Sequence, residues 1–157
     1  MEREVTSRQQ ATAGEVRISR NYGVTPEKVW RAWTDPQALS QWFGHSRAEL
    51  TVAEIDLRVG GRYRIAFAGS TGELNEVSGV YQEVVPQRRL VFTWAFKSTP
   101  ERVSRVSIDL TPKAGGTELR FVHSHFYSQE ARDTHETGWK RGFANLDAFV
   151  QQAAQHA

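Results

Sequence analysis

Five histidines, no cysteines and a set of aromatic residues at strand and helix spacing decide what chemistry this 157-residue chain could perform. His123 and His125 stand two apart in the stretch L-R-F-V-H-S-H, so on a strand both would continue the apolar face of Leu119 and Phe121. That is workable spacing for two metal ligands, with His135 or Glu76 as a third. The sequence offers no obvious acidic partner to orient the imidazoles, so they are read as satisfied pocket or surface histidines. No metal and no other cofactor is expected. General acid–base chemistry needs a cavity group with a shifted pKa, and Glu76, His123 and Tyr63 are the candidates whose strand positions permit it. The chain has no G-x-S-x-G, no phosphate loop, no H-E-x-x-H and no cysteine nucleophile. No catalytic residue is assigned.

The stronger pattern is an aromatic wall. Strand and helix phases aim Trp33, Trp42, Tyr63, Phe67, Phe92, Trp94, Phe121, His123, Trp139 and Phe143 toward one space, with Glu76 available to orient a polar group. Aromatic walls with a few polar groups are what small-molecule sites use, and a filled core is the competing reading for any single ring.

The elements that must position these residues follow from periodicity. Val16 to Tyr22 alternates as a first strand. Pro26 suits the first turn of a helix that Thr25 could cap, with Val29, Trp30 and Trp33 on one side. Thr34-Asp35-Pro36 stops it and starts a second short helix reaching Leu39 and Trp42. Ala48 to Val59 is β-rich but shifts phase, which implies a β-bulge near Ala53-Glu54. Gly60-Gly61 is a tight turn before Arg62 to Ala68, where Tyr63, Ile65 and Phe67 share a face. The strand from about Asn75 to Val85 mixes phases at Val77, Val80, Tyr81 and Val84. Leu90, Phe92, Trp94 and Phe96 form the most apolar strand face, Val106, Ile108 and Leu110 the next, and Leu119 to His125 the last. From Ser128 the period changes to 3.6, and a long amphipathic helix follows. Gly138 and Gly142 lie four apart on its apolar stripe, where each costs roughly 1 kcal/mol relative to Ala. Such a cost implies close packing or room left for a ligand.

Length and composition allow one α+β domain, residues 15–157, behind a flexible polar tail of residues 1–14. The net charge is only +2, and the pI near 9.1 comes without a clustered basic run. Nucleic-acid binding is therefore not expected. No apolar run approaches the roughly 18 residues of a membrane helix, and no secretory signal opens the chain, so membrane insertion is not expected and the cytoplasm is the expected location.

Several short motifs in order, P-E-K-V-W-R-A-W-T-D-P at 26–36, W-F-G at 42–44, D-L-R-V-G-G-R-Y at 56–63, G-V-Y-Q-E-V-V-P at 79–86, R-L-V-F-T-W at 89–94 and H-E-T-G-W at 135–139, resemble the activator-of-Hsp90-ATPase-like proteins. These belong to the START-like (SRPBCC) superfamily. The resemblance implies a helix-grip fold: a curved antiparallel sheet of six to seven strands wrapped around the long C-terminal helix, with two short helices after the first strand. It implies a cavity between sheet and helix for a hydrophobic or aromatic small molecule. A chaperone of the Hsp90 type or another protein is the alternative partner, although the second, N-terminal domain of the chaperone activators has no counterpart here. A cavity-based enzyme of cyclase or hydrolase type is the third reading, and either a monomer or a homodimer is compatible. Where relatives often have glycine before the phenylalanine leading into the last helix, this chain has His125, a change at the expected pocket rim.

Overall fold

The computed structural model describes residues 14–43, 52–68 and 71–155. The expected tail up to residue 13, and the expected strand start at Ala48, lie outside the described residues.

Seven strands form one antiparallel sheet: β1 (Val16–Tyr22), β2 (Val52–Ile55), β3 (Arg62–Ala68), β4 (Leu74–Val85), β5 (Arg89–Phe96), β6 (Ser104–Lys113) and β7 (Gly116–Ser124). Their order across the sheet is β1-β7-β6-β5-β4-β3-β2. Two short helices, α1 (Pro26–Thr34) and α2 (Pro36–Leu39), follow β1, and the 27-residue helix α3 (Gln129–Gln155) follows β7. This is the curved α+β helix-grip architecture expected from the sequence.

Local chemistry accounts for the boundaries. Ser128 caps α3, its hydroxyl accepting from the Ala131 N–H at 3.1 Å. Asp35 closes α1 and opens α2, accepting from the Gln37 N–H at 3.0 Å. Thr25 differs from expectation: its carbonyl accepts from Lys28 and Val29, but its side chain makes no capping bond.

The bulge also lies elsewhere. β2 pairs with β3 in unbroken register from Val52 opposite Ala66 to Ile55 opposite Tyr63. Leu57 belongs to the exposed turn that follows and sets no strand phase. The register shift occurs in β4 between Tyr81 and Glu83, which is why that strand's apolar residues change face. Close by, a Cβ on Gly79 would stand 2.0 Å from the Thr93 carbonyl oxygen. That carbonyl accepts the Tyr63 hydroxyl at 2.6 Å, while the Thr93 hydroxyl accepts the Val80 N–H at 2.9 Å. Side chains thus take up backbone groups where the sheet bends.

One core fills most of the space under the sheet. Trp33 of α1 stacks on Phe121 of β7 with centroids 6.0 Å apart, and Phe143 of α3 meets Phe121 at 5.2 Å. Farther along α3, Leu146 and Val150 are buried. Helix and sheet are pinned at this end by Asp147, whose carboxylate accepts the Tyr22 hydroxyl at 2.6 Å and, with both oxygens, the Arg20 Nε–H at 3.1 Å.

Candidate functional site

Toward the other end of the groove, space remains. A cavity of about 410 Å³ opens between the first half of α3, the segment that follows α2 and the adjoining parts of β3, β4 and β5. This is within the size range of small-molecule pockets. Its inner wall is aromatic: Trp42, Phe43 and Phe67, Trp94 and Phe96 from β5, and Trp139 from α3. The rings pack edge to face, Phe43 against Phe67 at 5.3 Å, while Trp94 tilts against Trp139 at 5.1 Å. Polar residues line the rest: Glu73, Asn75, Thr134, His135, Thr137 and Arg141. Of these, all but Asn75 and His135 are exposed, so polarity concentrates at the mouth. The Glu73 carboxylate accepts from the hydroxyl and amide N–H of Thr71, which hold its pKa down to about 2.

Two glycines of α3 border this space, Gly138 exposed at the mouth and Gly142 half-buried. A Cβ on Gly138 would meet nothing within 4 Å, and one on Gly142 would only touch Trp42 and Trp139 at 3.9 and 4.0 Å. Of the two explanations open in the sequence, close packing or vacant room, close packing does not hold at Gly138, which is exposed at the edge of the cavity.

Only part of the expected wall lines this cavity: Trp42, Phe67, Trp94 and Trp139 do so. Trp33, Tyr63 and Phe92 instead border a separate void of about 20 Å³ deeper under the sheet. Phe121 and Phe143 pack in the core. Glu76 is a correction: it pairs opposite Ala66, one step out of phase with Phe67 and Asn75, and its carboxylate lies 3.5 Å from the Arg64 guanidinium on the outer face. Asn75, its neighbour, takes the inward position. Phe43, Phe96 and His135 also line the site, in addition to the residues expected from strand and helix phase.

His123 is fully buried and fully bonded. The Trp139 indole N–H donates to its Nδ1 at 2.9 Å, so Nδ1 carries no proton. Nε2–H then donates to the Ser104 hydroxyl at 2.7 Å, which donates to the Trp94 carbonyl at 3.0 Å. Burial, with His135 nearby, pushes the imidazole pKa down to about 2. His135 holds the opposite tautomer. Its Nδ1–H donates to the Ala131 carbonyl at 2.7 Å and its Nε2 accepts the Trp94 indole N–H at 3.2 Å. Burial lowers its pKa too, against the opposing effect of the Ala131 bond.

His125 does not continue the apolar face. β7 ends at Ser124, and His125 is exposed with φ of +65°, a left-handed conformation that favours glycine. That conformation explains why glycine suits this position. It also separates the two histidines, and no cluster of three or more metal-ligating side chains occurs among the described residues. Of the acid–base candidates, Glu76 faces outward, His123 has both nitrogens engaged, and the Tyr63 hydroxyl donates to Thr93 with its pKa raised by burial.

The same arrangement of elements recurs in known structures. A protein from Chromobacterium violaceum is 29% identical, with a TM-score of 0.78 over 87% of this chain and 96% of that one. An uncharacterized protein from Rhizobium leguminosarum is 25% identical, with a TM-score of 0.76 over 88% and 95%. The human activator of 90 kDa heat shock protein ATPase homolog 1 is 29% identical over 127 residues, 80% of this chain but 33% of that protein. The chain therefore spans about a third of the length of the curated relatives it matches. The family model of the activator of Hsp90 ATPase homolog 1-like proteins matches residues 23–151, and the chain belongs to that family.

Proposed function

We propose that the protein binds a small, largely apolar and aromatic-compatible molecule in the cavity between its sheet and α3. The observation that carries this reading is the cavity of about 410 Å³, whose aromatic wall the rest of the core does not fill. A helix interior tolerates glycine at a cost of about 1 kcal/mol, and here no packed neighbour accounts for that cost. Stacking on Trp94, Trp139 and the phenylalanines would supply affinity, with polar ligand groups left at the mouth. The test is a thermal-shift screen against fatty acids, sterols, flavonoids and other aromatics, read beside tryptophan emission. A true ligand raises the melting temperature saturably by mass action and changes Trp94 or Trp139 emission. Absence of any paired shift across these classes would refute the reading.

The second reading is a partner role toward an Hsp90-type chaperone. It is supported by the name of the human relative, whose matched segment is a third of that protein. Stimulation of a purified Hsp90-type ATPase by this protein would support it, and no change in turnover would remove it.

A further inference from the structure

The cavity wall carries three tryptophans among its described residues, and none of their N–H groups is available to a ligand. Trp42 donates to the Ala32 carbonyl at 2.9 Å, Trp139 to His123 at 2.9 Å, and Trp94 to His135 at 3.2 Å. The first two acceptors lie behind the wall: Ala32 is a buried α1 backbone group and His123 is fully buried. The third differs, because His135 itself lines the cavity. Its imidazole stands beside Trp94 as an acceptor, and the Nδ1–H bond to Ala131 fixes it in the tautomer that can accept. The wall phenylalanines offer no hydrogen-bonding groups, and the Asn75 amide N–H donates to the exposed Glu73 carboxylate at 3.5 Å, on the mouth side of the cavity.

We propose that the cavity selects molecules whose inner end is free of hydrogen-bond acceptors, and that His135 sets this selectivity by occupying the Trp94 indole N–H. The ligand class is an amphiphile inserted apolar end first, with its polar group at the mouth. This rests on the binding reading above. An acceptor carried into the inner wall loses its water and finds no donor, which costs about tenfold or more in affinity. Replacing His135 with a side chain that cannot accept frees the Trp94 N–H beside the space the imidazole vacates, and creates the missing donor.

A matched pair of neutral probes tests this by calorimetry at pH 8: biphenyl-4-carboxamide and 4-(pyridin-4-yl)benzamide, which differ by one ring C–H replaced with an acceptor nitrogen. The wild-type protein should bind the biphenyl about tenfold or more tightly than the pyridyl compound. His135→Leu should narrow or reverse that ratio, whereas His135→Glu, whose carboxylate can still accept from Trp94 and at pH 8 offers no N–H to a probe, should keep it. Equal binding of the two probes by the wild-type protein would overturn the selectivity while leaving the cavity reading standing. An unchanged ratio in His135→Leu would overturn the role of His135. Failure of both probes to bind any of the three proteins would overturn the inference together with the binding reading. If His135→Leu does not fold, the wild-type ratio and its retention in His135→Glu decide the matter.

Discussion

Replacing Gly138 with alanine should make the protein more stable, an outcome that separates a vacancy from a close contact. The residue sits well inside the 27-residue α3, where glycine is less favourable than alanine by about 0.8–1 kcal/mol. Nothing lies within 4 Å of the added methyl, so no steric cost offsets the gain. For a domain of this size, about 1 kcal/mol corresponds to a rise of about 2–4 °C in melting temperature. Thermal unfolding followed by circular dichroism measures it directly. Gly138→Leu extends the same perturbation: its side chain would occupy the mouth of the cavity and should abolish binding of biphenyl-4-carboxamide while the fold persists. A Gly138→Ala protein that melts below the parent would refute the claim that the space is empty. Undiminished binding by Gly138→Leu would refute the claim that the space is the binding site.

Other sites give outcomes of different kinds. Gly79→Ala should be severely destabilising or fail to yield folded protein, because the new Cβ would meet the Thr93 carbonyl oxygen at 2.0 Å; soluble expression and urea unfolding check this. Tyr22→Phe removes the hydroxyl bonded to Asp147 and should cost about 1–2 kcal/mol in urea unfolding, with little effect on cavity binding. Because His123 is held neutral down to about pH 2 when folded but titrates near pH 6.5 when unfolded, its contribution is complete above 6.5 and lost progressively as pH falls toward 2. Its slope approaches about 1.4 kcal/mol per pH unit once the unfolded imidazole is protonated. His135, shifted in the same direction, adds to the acid lability. The melting temperature should therefore fall between pH 7 and pH 5, and His123→Asn, though less stable at pH 8, should show a flatter profile.

How much of this was legible in the sequence depends on the distance over which each feature is determined. Helices α1 and α2 follow from Pro26, Pro36 and the spacing of their tryptophans, and α3 from Ser128 and a 3.6-residue stripe, all local signals. The facing of β3 and β5 follows from two-residue alternation. β4 does not, because the bulge between Tyr81 and Glu83 breaks the alternation, and the inward place belongs to Asn75 rather than Glu76. A bulge depends on what the neighbouring strand demands, and no residue within β4 announces it. The aromatic wall was legible as a set but not in depth. Periodicity states that Trp33, Phe121 and Phe143 point inward, yet cannot state where along the groove packing ends and vacant space begins. Gly138 and Gly142 point to that boundary, since both line the cavity where α3 borders open space. His125 is the opposite case: two-residue alternation extends the strand through it, whereas its positive φ ends the strand first.

The uneven packing along α3 divides one continuous helix into two regions of different mechanical character. Phe143, Leu146 and Val150 anchor its second half in the core, whereas the turns around His135 and Gly138 border open space. Local opening free energies follow the number of buried contacts, so amide hydrogen exchange should be slow after Phe143 and markedly faster before Trp139. A molecule entering the cavity then needs only the transient loosening of those first turns, while the rest of the domain stays closed. The passage into the site and the rigidity of the scaffold reside in a single helix, and they can be altered independently.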